Sequence, residues 1–286
     1  MKRRVFIWVI IGLVSFASCS DREPDMTLVQ ETRYRDYLIN QIQVEDVWDL
    51  TVVQDDGPSY VDLEYSAYLH DYLHILYNEN GLFHAFLGAH PHLPYNTVLK
   101  ATIHTRDLQS LVLDKAATAL VDGDFQGDSL RVVLKGASIC KGGSYTGVTD
   151  IALDGASLMA DFSSNGTYCS VSAQNGSVFK GTIAASEGLE VKLLEDGHLI
   201  TYGGSANKVQ AEVETNSSLN MLKTEVEQME IDMMSRAEAF VNVRQALRCR
   251  LADSAMLYYQ PYPGLVLDAD CDSSSHVLPL NPQLNL

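Results

Sequence analysis

The sequence predicts an all-β fold, a solenoid of about eight short coils wound as a β-helix with one chain per coil. Three observations carry this. From about Asp107 onward an apolar pair recurs at steps of roughly twenty residues: Leu111/Leu113, Val132/Leu134, Ile151/Leu153, Cys169/Val171, Val191/Leu193, Ala211/Val213, Ile231/Met233 and Cys249/Leu251. A second apolar position follows each pair, at Leu120, Ile139, Leu158, Val178, Leu199, Leu219, Phe240 and Leu257. Between them lie corners of small or polar residues, such as Gly136-Ala137-Ser138, Gly155-Ala156-Ser157 and Asn175-Gly176-Ser177. Alternation at period two is a strand signal, and a fixed repeat of this length is the signature of stacked coils. No single coil can bury its own apolar face, so each must stack on its neighbours.

The elements preceding the coils read as follows. Residues 1–18 combine Lys2, Arg3 and Arg4 with an apolar run from Val5 to Val14, which predicts a signal peptide too short to span a membrane. Phe16-Ala17-Ser18-Cys19 resembles a bacterial lipobox, with Phe16 in place of the commoner Leu. The resemblance implies cleavage before Cys19 and acylation of its thiol, so that outer-membrane lipid becomes a partner. Each buried methylene then contributes about 0.8 kcal/mol of anchoring. Ser20 to Asp25 is acidic and resembles the surface-export signal of Bacteroidetes lipoproteins; a solvated polar tether accounts for it equally well.

Residues 19–43 are expected to be that tether. Asp49–Val53 and Tyr60–Tyr65 read as strands around the turn signal Asp55-Asp56-Gly57-Pro58. Ser66 to Tyr77 reads as a short helix, with Ala67, Leu69, Tyr72, Leu73 and Leu76 as its apolar stripe. Asn80-Gly81 ends it, Leu82–Leu87 returns to strand, 88–96 is a loop, and strand character resumes at Val98–Ile103. This small strand/helix segment leads into a domain spanning 44–274, followed by a tail at 275–286.

The chain has 286 residues, 46% of them hydrophobic, which is ample for a core and far from the disordered class. Its net charge of −17 grows more negative once the basic leader is removed, which disfavours nucleic acid and anionic membrane surfaces as partners. The acidic residues are scattered over many turns, as a solvated outer face requires. Of five cysteines, Cys19 is assigned to lipid. Cys169 and Cys249 read as inward residues four coils apart, about 19 Å at a strand spacing of about 4.8 Å, too far for a disulfide. A Cys249–Cys271 bridge stays open. No Cys-x-x-Cys is present, so no redox role is expected.

With these residues in view, the chain resembles the bacterial head GIN autotransporter-adhesin domain, frequent in Bacteroidetes lipoproteins. The marks are the Leu-x-Gly-Ala-Ser corners (Leu134 to Ser138, Leu153 to Ser157), the run of short coils, and the closing segment Cys249 to Pro263. Ala255 and Gln260 stand there where the family more often has glycine. The resemblance implies a right-handed single-stranded parallel β-helix in the cell envelope, and it implies no catalytic motif.

The side chains offer few catalytic constellations. His70, His74, His84, His90, His92 and His104 form the richest group. On a helix, His70 and His74 would share a face and could meet a metal. However, His-Asp-Tyr-Leu-His lacks the Glu of a zinc protease, and exposed histidines are the favoured account. Gly142-Gly-Ser-Tyr-Thr-Gly147 lacks the Lys of a phosphate loop, and Gly123 to Asp128 does not fit a calcium β-roll. A polysaccharide-acting β-helix enzyme would need aligned turn carboxylates, for which Asp114, Asp124 and Asp154 are the candidates, with Lys135 interrupting their column and Asp161 on another turn. Tyr258, Tyr259 and Tyr262 could stack on sugars but are favoured as an end cap, and Met221, Met229, Met233 and Met234 as core filler.

The expectation is a non-enzymatic, adhesin-like binding module for glycan or protein, anchored in the outer membrane through Cys19, with no metal and no cofactor. A polysaccharide-acting enzyme and a periplasmic scaffold or sensor are the alternatives.

Overall fold

The computed structural model describes residues 24–89 and 91–280. Cys19 and the leader lie outside them, as does His90. In chain order the strands are β1 (Leu28–Arg33), β2 (Gln41–Glu45), β3 (Asp49–Gln54), β4 (Tyr60–Ser66), β5 (Leu73–Tyr77), β6 (Leu82–Leu87), β7 (Leu99–Thr105) and β8 (Ser110–Asp114). One long strand per coil then follows: β9 (Thr118–Leu134), β10 (Ile139–Leu153), β11 (Leu158–Ala173), β12 (Val178–Leu193), β13 (His198–Val213), β14 (Ser218–Met233) and β15 (Glu238–Leu251). The short strands β16 (Met256–Tyr259), β17 (Val266–Cys271) and β18 (His276–Pro279) complete the chain. From β9 to β15 every neighbouring pair is parallel, which makes the predicted solenoid.

The long strands turn midway, and in every neighbouring pair but β13–β14 the register slips there, for example between Gly142 and Ser144 or between Ala185 and Leu189. The first halves stack into one wall and the second halves into another. Between the walls, equivalent residues form ladders: Ala119, Cys140, Met159, Phe179, Leu199, Leu219, Ala239 and Leu257 on one side, and Leu111, Val132, Ile151, Val171, Val191, Ala211, Ile231 and Cys249 on the other. All are buried. At about 25 cal/mol per Å² of apolar surface, each larger side chain contributes roughly 1.5–3 kcal/mol.

The corners explain the small-residue motifs. Two successive residues at each adopt positive φ: Gly136/Ala137, Gly155/Ala156, Asn175/Gly176, Glu195/Asp196, Thr215/Asn216, Ser235/Arg236 and Asp253/Ser254. At all but the last corner the second amide donates to the first carbonyl of the next corner, as in Ala156 N to Asn175 O (2.9 Å) and Asp196 N to Thr215 O (3.0 Å); Ser254 N donates to Ser274 Oγ instead. Where a serine follows, as at Ser138, Ser157, Ser177 and Ser217, it is buried; Ser157 Oγ donates to Asp154 O at 2.6 Å and closes its own turn.

Several expectations are corrected. In five coils the second apolar position is displaced by one residue. Leu120 is half-exposed, and Ile139, Leu158, Val178 and Phe240 lie at the rim, while their neighbours Ala119, Cys140, Met159, Phe179 and Ala239 point inward. Both members of these dipeptides are apolar or small, so hydrophobicity does not choose the face. Cys169 sits two residues before its expected rung, which Val171 and Ala173 occupy, and it aligns with Thr149 and Leu189. Met234 is exposed at a corner, while Met221, Met229 and Met233 are core.

The expected helix at 66–77 is instead one 3₁₀ segment, Ala67–Tyr72, followed by strand β5. β5 pairs antiparallel with β6 through a tight turn in which Asn78 Oδ1 accepts from Asn80 N and Leu82 N. This hairpin overrides the helical stripe, since Leu73 and Ile75 pack on the core while His74 and Leu76 face out. The expected tether at 19–43 contains β1, which pairs antiparallel with β4, and the start of β2. The expected tail contains β18, held over β16.

The stacking order at the N-terminal end departs from chain order. β2 lies between β6 and β8, and β3 between β7 and β9, so the coil at 41–54 is sandwiched by coils made from later residues. β4 and β5 then cover β7 and β6 antiparallel and close that end. Phe83, Ile103, Val61 and Leu63 are consequently buried.

Candidate binding surface

The second halves of the coils form a long wall whose outward side chains repeat in columns. One column runs Asp150, Ser170, Glu190, Gln210, Glu230, Arg248 and Asp268. The next runs Ala152, Ser172, Lys192, Glu212, Asp232, Arg250 and Asp270. Strand geometry alternates faces, so apolar residues enter the core while these charges stand on the surface. Neighbouring coils are tied across the columns. Ser170 Oγ donates to Asp150 at 2.5 Å, Lys192 Nζ to Glu212 at 2.7 Å, and Arg250 grips Asp232 through Nε and Nη2 at 2.6 Å each.

Electrostatics follow from these contacts. The Lys192 ammonium, hydrogen-bonded to Glu212, holds that carboxyl below its ordinary range. Tyr168 donates to Glu190 at 2.7 Å, and that hydrogen bond, with burial, pushes its phenol up to about 12. Two shallow grooves run along the wall. One of about 300 Å³ lies among Glu190, Lys192, Glu212, Glu230, Asp232 and Arg250. The other, about 330 Å³, lies among Lys208, Gln228, Ala246, Arg248, Val266 and Asp268. A regular array of paired charges with shallow relief suits contact with an extended, hydrogen-bonding partner. Both grooves are open, unlike the enclosed clefts that usually hold a small substrate.

The same wall continues to the N-terminal coils, where the polar groups are less exposed. Glu45 meets His84 Nε2 at 3.1 Å and Lys115 Nζ at 2.9 Å, and the hydrogen bond from Lys115 lowers its carboxyl below the ordinary range. Asp46 accepts from the Leu87 amide at 2.8 Å, which fixes the end of β6.

The residues singled out in the sequence do not converge. His70 lies in the 3₁₀ segment with Nδ1 3.1 Å from the Tyr65 hydroxyl, whereas His74 is on β5, stacked 4.9 Å from Phe86. They therefore do not share a helix face. His104 stacks on Tyr60 at 4.1 Å, on the other wall. Among the described residues no group of three or more His, Cys, Asp or Glu side chains is placed to hold a metal ion.

Asp114 accepts from the Lys115 amide at 2.7 Å within its own corner, and Asp154 accepts from Asn175 Nδ2 of the next corner at 2.7 Å. Asp124 lies at the midpoint bend of β9, bonded to Ser144 Oγ at 2.5 Å, away from that column. Cys249 and Cys271 are free thiols, buried and exposed respectively. Tyr258 stacks on Phe240 of the preceding coil at 4.8 Å, Tyr259 packs against the core, and Tyr262 bonds Asn242 at 2.8 Å beneath the Arg244 guanidinium.

Sequence reasoning missed the charged columns themselves. Their signal was present as opposite charges about one repeat apart, Lys192 with Glu212 and Arg248 with Asp268, a spacing that becomes contact only after coils stack. Among the described residues no helix is long and apolar enough to cross a membrane.

A family model described as "Putative auto-transporter adhesin, head GIN domain" matches residues 39–263. No curated protein matches the chain. Solved structures that share its fold include three crystal structures. A "putative adhesin" from Parabacteroides distasonis is 15% identical over 90% of this chain and 98% of its own, with a TM-score of 0.61. A "putative lipid binding protein" from the same species is 14% identical over 88% and 97%, with a TM-score of 0.63. A "putative adhesin" from Parabacteroides merdae is 10% identical over 90% and 98%, with a TM-score of 0.60. At these identities the likeness concerns architecture alone.

Proposed function

The chain belongs to the head GIN domain family, and from that membership we propose that it is a cell-envelope binding module for glycan or protein. The observation that carries the reading is the wall of paired charges from Asp150 to Asp270, whose regular columns offer many weak polar contacts to an extended partner. The acidic balance of the chain favours neutral or cationic partners over anionic polysaccharide. The module is anchored in the outer membrane through acylated Cys19, a reading supported by the leader at 1–18 and the lipobox-like Phe16 to Cys19. It works by binding and not by turnover, because Asp114, Asp124 and Asp154 serve separate structural contacts.

Protease treatment of intact cells, with lysed cells as control, tests the placement. Loss of the protein from unbroken cells supports surface display; protection until lysis sinks the adhesin reading in favour of a periplasmic scaffold. Cys19→Ala should release the protein from the membrane fraction. Replacing Asp114, Asp124 and Asp154 together by Asn should leave binding to a glycan array unchanged. Polysaccharide cleavage that disappears in that variant would make the protein an enzyme.

A further inference from the structure

The two ends of the solenoid are finished differently. At the N-terminal end antiparallel strands cover the last coil, and Phe83 and Ile103 are fully buried. At the C-terminal end β17 pairs only with β15, and its other edge has no partner among the described residues. Leu267, Ala269 and Cys271 continue the inward ladders of Leu247, Cys249 and Leu251, yet every residue of β17 is exposed, Leu267 by 40% and Val266 by 65%. The core is thus open there, beside a row of free backbone donors and acceptors. Such an edge is a template for a further strand.

The charge columns specify what that strand carries. Arg248 stands between Glu230 and Asp268, and Arg250 between Asp232 and Asp270. The contacts alternate accordingly: Arg250 Nη2 to Asp232 Oδ2 is 2.6 Å, and Arg248 Nε to Asp268 Oδ2 is 3.2 Å. The rung ends on two carboxylates, and Asp270 has no ion pair among the described residues. A rung continuing the order must therefore be basic outward and apolar inward. A second copy of β17 would set Asp268 and Asp270 against carboxylates, which is repulsive. The chain's own residues 281–286, Asn-Pro-Gln-Leu-Asn-Leu, contain no Lys or Arg.

We propose that β17 is an acceptor edge for a partner protein's strand in which Lys or Arg alternates with aliphatic residues. The strand adds to the free edge, covers Leu267, Ala269 and Cys271, and places its cations beside Asp268 and Asp270. This edge is the terminal rung of the long wall, but strand addition is read by peptide binding and by exchange in β17, so it can fail or succeed independently of glycan binding along the columns.

The probe is an eight-residue peptide alternating Lys or Arg with Leu or Val, compared with a scrambled peptide of the same composition and with a Glu-for-Lys/Arg version. Binding to the full chain is read by calorimetry, by amide exchange across 266–271, and by alkylation of Cys271 followed through peptide mapping. The alternating peptide should bind at least tenfold tighter than either control, slow exchange in β17, and protect Cys271. The variant carrying Asp268→Lys and Asp270→Lys should lose at least tenfold for the basic peptide and gain affinity for the acidic one. Equal binding of alternating and scrambled peptides would overturn the proposal. So would protection elsewhere without protection of β17, or sedimentation showing that β17 is already covered by a second copy.

Discussion

Gly204 passes so close to Ile183 of the neighbouring coil that a Cβ at Gly204 would collide with the Ile183 carbonyl oxygen. Gly204 also has φ of 105°, in a region that side chains seldom adopt. Gly176, at a corner with φ of 74°, has nothing within 4 Å of the equivalent position. Gly204→Ala should therefore cost about 3 kcal/mol or more through backbone displacement and strain, whereas Gly176→Ala should cost only about 1 kcal/mol of strain. Urea denaturation of the two variants checks this, and equal losses would show that the coils separate freely at Gly204.

Thr215 is a β-branched residue held at φ 49°. Branched side chains are poorly tolerated there, while Asn is accepted, as it is at Asn175 in the matching corner (φ 55°). Thr215→Asn should raise stability by about 1 kcal/mol, seen as a higher urea midpoint with unchanged slope. A lowered midpoint would mean that the Thr215 side chain holds the corner by a contact worth more than the strain.

The thiols should divide sharply. Burial pushes Cys140, Cys169 and Cys249 up to about 12, and burial raises exposed Cys271 as well. At neutral pH a disulfide reagent should label Cys271 and leave the three core thiols untouched until guanidinium is added. Labelling of Cys249 in the native protein would show that the open C-terminal end frays back to β15.

Asp272 caps the last corner, accepting from the Asp253 amide at 2.8 Å and the Ser274 amide at 3.0 Å. The hydrogen bond from Asp253, followed by those from Ser275 and Ser274, holds its carboxyl well below the usual carboxylate range. A depressed value in the fold means that its stabilisation is complete above the ordinary carboxylate pKa, near 4, and is lost as pH falls beneath it. Amide exchange at Asp253 and Ser274, corrected for the intrinsic rate, should speed up on going from pH 7 to pH 3, and Asp272→Asn should remove that pH dependence.

The repeat made the coils legible before any coordinates. Ladders such as Ile151, Val171 and Val191 recur at nearly constant spacing, and the Gly-Ala-Ser corners announce the turns. Local chemistry failed where two neighbours were equally apolar, as at Leu158-Met159 and Val178-Phe179, because a strand's facing is decided by its partners. It failed again at Leu73–Tyr77, where pairing with β6 outweighs a helical stripe. The charged wall was unreadable for a related reason: Arg250 and Asp232 are strangers in sequence and acquire meaning only as rungs.

The sandwiched position of the coil at 41–54 has a consequence for how the molecule assembles. β2 and β3 leave the ribosome early, yet their neighbours on one flank, β6 and β7, and on the other, β8 and β9, are all made later. A chain emerging from its N-terminus cannot add coils one by one in the order of synthesis. Its opening segment must wait, both edges bare, until residues through β9 arrive. The first coil to be translated thereby gains both its neighbours only after the two coils that follow it have been made, and the vulnerable interval in the protein's biogenesis belongs to its beginning.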